Sequence, residues 1–174
     1  MATKKSMWVL FGILVISTWV LGSAIQVGAE TLNYKTYHYV AKAESSLIGD
    51  TEEHLVGFNI RRGFAVFENG EIGTIIAVIT SDGVRNSGQF MQYVTLTFAD
   101  GSTIIYKSQG TFGSPAAGSY TAAGWTSEII KGTGRFEGIK GTSASKAKYL
   151  PVEKGELAPK GISENTLTYT LPSK

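Results

Sequence analysis

Between Lys131 and Thr142, the glycines Gly132, Gly134, Gly138 and Gly141 are set around one aromatic ring, that of Phe136. Glycine reaches positive φ without a Cβ clash and lets another backbone close in. In a β-rich chain such a run reads as strand, tight corner, strand, with the ring turned inward as a plug. A phosphate loop fits poorly. The dinucleotide fingerprint needs a third glycine where Glu137 stands, and no helical pattern follows; a Walker A loop ends in Gly-Lys-Ser/Thr, which this stretch lacks.

The rest of the chain reads as short β-runs broken by turn residues. Strands are expected over Thr31–Ala43, Leu55–Phe67, Ile72–Thr80, Phe90–Phe98, Thr103–Ser108, Trp125–Ile130, Thr142–Val152 and Thr166–Leu171. Asn69-Gly70 is a strong hairpin signal, and Asp100-Gly101 joins another pair. Gly110 to Gly124, rich in small residues and holding Pro115, reads as a long loop, a lid or rim. No segment keeps a helical period. About eight strands in hairpin order predict an all-β, antiparallel up-and-down barrel, in which closure removes the sheet edges.

Residues 1–29 are a different material. Lys4 and Lys5 precede an uncharged run from Trp8 to Ile25, and Val27-Gly28-Ala29 ends in small residues at signal-peptidase spacing. The expected division is an export segment over 1–29 and one barrel domain over 30–174. The run is also near the length that spans a bilayer, so an uncleaved anchor over residues 8–25 is the rival reading. Either way the barrel is expected outside the cytoplasm, periplasmic or secreted. With no cysteine, lipoprotein anchoring is excluded and no disulfide staples the fold. Removing 1–29 takes two lysines from 16 basic residues and none from 14 acidic ones, leaving the charges balanced. A nucleic-acid binder needs a basic excess or stripe, so that partner is set aside.

The glycine stretch also resembles the late-barrel motif of the allene oxide cyclase and dirigent superfamily, Gly-Thr-Gly-x-Phe-Glu-Gly-x-x-Gly, with Phe-Glu-Gly leaning toward the cyclase side. Gln89 to Gly101 followed by Ile104 to Gly110 is similar to the hairpin before that motif. The resemblance runs over roughly Val56 to Leu171. It implies a small antiparallel β-barrel, often trimeric, around an apolar cavity. The matching residues, Gly132, Gly134, Phe136, Glu137, Gly138 and Gly141, are mainly architectural in the family. The catalytic patterns are not matched. The cyclases hold a water through an Asn and a Ser-Pro pair near the first strand, and Thr31 to Glu53 has no proline. Dirigent proteins place an aspartate in that strand, where this chain reads Tyr37-His38-Tyr39-Val40.

Candidate site residues follow from the two-residue period of strands. Phe58, Ile60, Arg62, Phe64 and Val66 share one face. If that face is interior, the Arg62 guanidinium must meet a carboxylate or a ligand's anionic end; a bulge or tilt would instead carry Arg62 to the rim or put Arg61 inside. Glu137 is a weak acid–base candidate. Tyr93, Tyr106 and Trp125 are candidates for the cavity wall. His38 and His54 stand too far apart for metal; Asp50, Glu52, Glu53 and His54 could meet in a loop, but a zinc site needs three or four clustered ligands, and no metal or cofactor is expected. The third expected strand is apolar on both faces, Ile75, Ala77 and Ile79 against Ile72, Ile76 and Val78. With no helix to cover the outer side, a dimer or trimer of the chain is the expected cover.

Three functions are consistent with this pattern. The first is an exported barrel binding a small apolar or amphipathic molecule. The second is a cofactor-independent isomerase or cyclase of the allene oxide cyclase or dirigent type. The third is a packed barrel whose outer face serves assembly. A void below about 100 Å³ leaves no room for a ligand of the usual pocket class, and so separates the third from the others.

Overall fold

A computed structural model describes residues 28–85, 87–113 and 122–173. Eight antiparallel strands close into one barrel in sequence order: β1 (Glu30–Leu47), β2 (His54–Phe67), β3 (Ile72–Val84), β4 (Ser87–Phe98), β5 (Thr103–Gly113), β6 (Ala122–Thr133), β7 (Lys140–Tyr149) and β8 (Gly161–Thr170). Every strand pairs with its sequence neighbours, and β8 returns to β1 with Glu30 opposite Tyr169. The expected strands are all present. The wall around the expected loop is longer than the composition suggested, because β5 continues to Gly113 and β6 starts at Ala122. The expected export segment lies outside the described residues, apart from Gly28 and Ala29.

The hairpin turns follow the local chemistry. Gly70 and Gly101 take positive φ, +83° and +81°, the region where a side chain would clash. Asn69 Oδ1 accepts from the Glu71 N–H at 3.0 Å, and Asp100 Oδ1 from the Ser102 N–H at 2.9 Å. Both are side-chain turns of the kind these residues favour.

One end of the barrel is stoppered by aromatic rings. Between β6 and β7 the chain makes a single 3₁₀ turn, Gly134–Phe136, and the Phe136 ring is buried. Its centroid lies 4.7 Å from Phe98, which is 5.2 Å from Phe67, which is 4.9 Å from Tyr34. A Cβ at Gly132 would strike the Phe136 carbonyl, and one at Gly141 the Thr168 carbonyl. Those glycines therefore let the corner fold against the wall. Arg135 lies over this cluster from outside, 4.5 Å above the Phe98 ring, and is held by Glu71 at 2.6 Å.

The faces of β2 are the reverse of the interior reading. Its alternation runs unbroken, and the register shift of the β1–β2 pair is in β1, between Val40 and Lys42. Arg61 pairs with buried Ala77, whereas Arg62 pairs with exposed Ile76. Phe58, Ile60, Arg62, Phe64 and Val66 therefore share a face, as expected, but it is the outer one. The inner face carries Gly57, Asn59, Arg61, Gly63, Ala65 and Phe67. A narrow barrel fills with small side chains alternating with a few large ones, and that demand outweighs the higher apolar content of the outer residues.

Candidate functional site: the polar half of the lumen

Away from the aromatic stopper the lumen turns polar. Thr36, His38, Gln92, Ser108, Ser127, Ser143, Ser145, Ser163 and Asn165 are buried on inward positions of six strands. They largely satisfy one another, as buried polar groups must. Ser108 meets Ser127 at 2.8 Å, Thr36 meets Ser163, and Asn165 Nδ2 donates to the Tyr34 carbonyl at 3.2 Å. The apolar cavity implied by the resemblance is thus replaced by a hydrogen-bonding one in this half.

His38 owes its place to two glycines. Its cross-strand partners are Gly63 on β2 and Gly161 on β8, and a Cβ at Gly161 would occupy the imidazole's space. The Tyr149 ring meets the imidazole edge-on at 5.9 Å. Arg61 reaches the same spot from β2: Nη1 lies 3.3 Å from His38 Nδ1 and 3.4 Å from the Pro159 carbonyl, and the guanidinium sits 4.8 Å over the Tyr149 ring. Donation from Arg61 to Nδ1 requires a lone pair there, so the neutral imidazole carries its proton on Nε2. Burial, and then the Arg61 charge, push His38 down to about 3. Burial also lowers the Arg61 pKa, opposed by Tyr149.

Two side-chain atoms here have no partner among the described residues, Arg61 Nε and Asn59 Oδ1, both on the inner face of β2. Among the described residues Arg61 makes no ion pair with a carboxylate. A void of about 40 Å³ lies against Arg61, His38, Gln92, Asn165, Phe90 and Trp125, with Tyr106 and Tyr149 in its wall. That volume holds about three waters and falls below the division drawn above between a ligand cavity and a packed barrel. A wider concavity of about 980 Å³ runs along the outer residues Lys35, Thr126, Ala144, Lys146 and Glu164 and also touches inward Trp125 and Asn165, which it shares with the void.

The sequence-derived site residues divide accordingly. Tyr106 and Trp125 face the lumen, Trp125 edge-to-face with Phe90 at 5.9 Å. Phe58, Arg62, Phe64 and Tyr93 do not: they lie on the outer face, Phe64 at 47% and Tyr93 at 43% exposure. Glu137 is exposed at the corner after Phe136 and is not part of the lining of the void. His38, Arg61 and Tyr149 were missed as a group, since only cross-strand register brings residues so far apart in sequence together.

The lumen supplies hydrogen bonds and one positive charge, but little proton chemistry. No carboxylate lines the void among the described residues. Tyr34 and Tyr106 share a hydrogen bond of 3.1 Å. Burial pushes Tyr34 up to about 12 and Tyr106 well above its ordinary value. A general acid or base works best with a pKa near the operating pH, and none of these groups has one. Elsewhere, His54 joins two carboxylates at the rim, Nδ1 to Asp50 at 2.5 Å and Nε2 to Asp82 at 2.7 Å. They bind opposite ring nitrogens and do not converge on one point, so this is an ion-paired clamp.

No family model matches the sequence, and neither does any curated protein. The solved structures similar to the chain include two dirigent proteins. The pterocarpan synthase dirigent protein GePTS1 is 14% identical, with a TM-score of 0.47 over 83% of this chain and 92% of its own. The pterocarpan synthase dirigent protein PsPTS1 is 15% identical, with a TM-score of 0.48 over 84% of this chain and 97% of its own. At these identities and TM-scores the likeness assigns no role to this chain.

Proposed function

We propose that the chain is an exported binding module whose barrel lumen takes a small amphipathic molecule. The observation that carries this is Arg61, a part-buried cation inside the barrel with no carboxylate partner among the described residues. Replacing a buried charge by apolar filler is often neutral or stabilising by a few kcal/mol. A lumen that served only as packing would have no use for a guanidinium at this position. At about 40 Å³ the void as it stands has no room for a ligand of the usual pocket class, so the reading requires an occupant of a few heavy atoms or a parting of Phe90 and Trp125. Export rests on the uncharged run from Trp8 to Ile25 and the site at Val27 to Ala29. A dirigent-type role, in which the wall only positions what it binds, is the alternative on the same lumen. Native mass spectrometry of protein purified from its own cell envelope tests the reading: a retained small molecule and an N-terminus at Glu30 support it. Ligand-free protein that also binds nothing from a panel of small amphipaths rules it out.

A second reading has its own observation. Ile76, Val78, Met91 and Tyr93 lie exposed on adjoining outer positions of β3 and β4; exposed Arg62 on β2 separates Ile76 from exposed Tyr39 on β1, and Tyr37 stacks on Phe64 at 5.3 Å. Such a face suits self-association, and the small void agrees with an assembly role. Sedimentation of the wild type and of Ile76→Glu tests it. A wild-type dimer or trimer that Ile76→Glu dissociates is the expected result, and a wild-type monomer at micromolar concentration removes the reading.

A further inference from the structure

We propose that the lumen site is specific for a monovalent carboxylate, anchored on the side-on edge of Arg61. This rests on the binding reading above and goes further, to the chemistry of the occupant. The guanidinium is planar, with its donors in a fixed fork. Nη1 is already turned to His38 and the Pro159 carbonyl. Nε has no partner among the described residues and almost no surface open to water, so an occupant reaches it by a small turn of the guanidinium toward the void. Nε and Nη2 form the opposite edge of the fork, the one that accepts both oxygens of a carboxylate in parallel. The free edge of Arg61 and its missing counter-charge thus call for the same group.

The surroundings define the charge and the size. Arg61 is the one cationic side chain in the described lining. His38 stays neutral, because it is buried and its Nδ1 lone pair faces that cation. A dianion such as phosphate would bring two charges to one, leaving a buried excess that the lining cannot compensate. A carboxylate brings one. The void of about 40 Å³ fits the carboxylate itself with a carbon or two, and Phe90 and Trp125 offer an apolar wall for a short acyl or aromatic remainder. Waters filling the void instead would satisfy Nε without any charge selection, and that difference can be measured.

The test titrates the full-length protein with acetate, which fits the void, and with benzoate, which needs Phe90 and Trp125 to separate. Benzyl alcohol and benzylamine serve as neutral and cationic counterparts of benzoate. Calorimetry and the Arg61 Nε–H resonance are read together. The expected result is that acetate or benzoate binds at least tenfold more tightly than benzyl alcohol and displaces the Nε–H resonance, while benzylamine does not bind. Arg61→Gln removes the preference. Arg61→Lys, which keeps the charge and loses the fork, weakens carboxylate binding at least tenfold, and the outer-face variant Arg62→Gln leaves it unchanged. If Arg61→Gln does not fold, the Nε–H response of the wild type decides alone. Equal binding of benzoate and benzyl alcohol, with Nε–H unmoved, overturns the carboxylate assignment and leaves the binding module standing. Failure of all four probes overturns the assignment and counts against the binding module as well.

Discussion

The Arg61 guanidinium stacks 4.8 Å above the Tyr149 ring, inside the barrel and away from any carboxylate of the described residues. The π face is therefore a principal source of compensation for this charge. A desolvated cation–π contact is worth about 2 kcal/mol. Tyr149→Leu is expected to destabilise the protein by about that amount, and Arg61→Met to be neutral or stabilising. In the double variant most of the Tyr149→Leu cost should vanish. Urea unfolding of the four proteins measures this cycle, and a coupling near zero would show that the contact contributes nothing.

His38 and His54 are expected to give stability opposite pH dependences. His38 is held near 3 in the fold, mainly by burial, against about 6.5 unfolded. Its folded pKa is lowered, so the neutral form belongs to the native state. Its contribution is complete above about pH 6.5 and shrinks as pH falls toward 3, by about 2 kcal/mol at pH 5. Denaturant titrations at pH 7.5 and 5 should show this slope in the wild type and its reduction in His38→Gln.

For His54, the hydrogen bonds it donates to Asp82 and then to Asp50 raise the pKa. The clamp's contribution is fully present below about pH 6.5 and fades as pH rises through the raised folded value. An NMR titration is expected to find the His54 imidazole changing charge above the ordinary histidine range, while His38 stays neutral down to about pH 4. A His54 midpoint below 6.5 would mean that the two carboxylates do not hold the ring in solution.

At the closed end, Phe136→Ala removes the ring that stacks on Phe98 and faces Tyr169. Large-to-small changes of a buried phenylalanine cost about 3–5 kcal/mol. Glu137→Gln, one residue on and exposed, is expected to change stability by less than about 0.5 kcal/mol. Thermal unfolding of the two variants separates an architectural corner from an acid–base site: a large loss of ligand binding in Glu137→Gln with stability intact would return that carboxylate to the candidate list.

The strands were legible because turn residues punctuate them: Asn69-Gly70, Asp100-Gly101 and the glycines around Phe136 each mark a reversal. The faces of β2 were not. Its outward residues Phe58, Ile60, Phe64 and Val66 are bulkier and more apolar than inward Gly57, Asn59, Gly63 and Ala65, so periodicity without the register points the wrong way. The site was illegible for a related reason. His38 fits because Gly63 and Gly161 stand opposite it, a match between residues on three strands that no linear pattern displays. Arg61 and Arg62 adjoin in the chain and differ only in parity, and pairing with Ala77 rather than Ile76 is what separates them.

The seam where β8 meets β1 has a consequence for how the protein is made. Glu30 and Tyr169 are opposite each other in that seam, so the hydrogen-bonding row that opens the wall at Glu30 finds its mate only when nearly the whole polypeptide exists. Until then two raw strand borders face outward, and such borders recruit other chains. A polypeptide that stopped short of Gly161 would lose more than its last strand: it would keep both borders exposed and be driven toward tangling with its own copies.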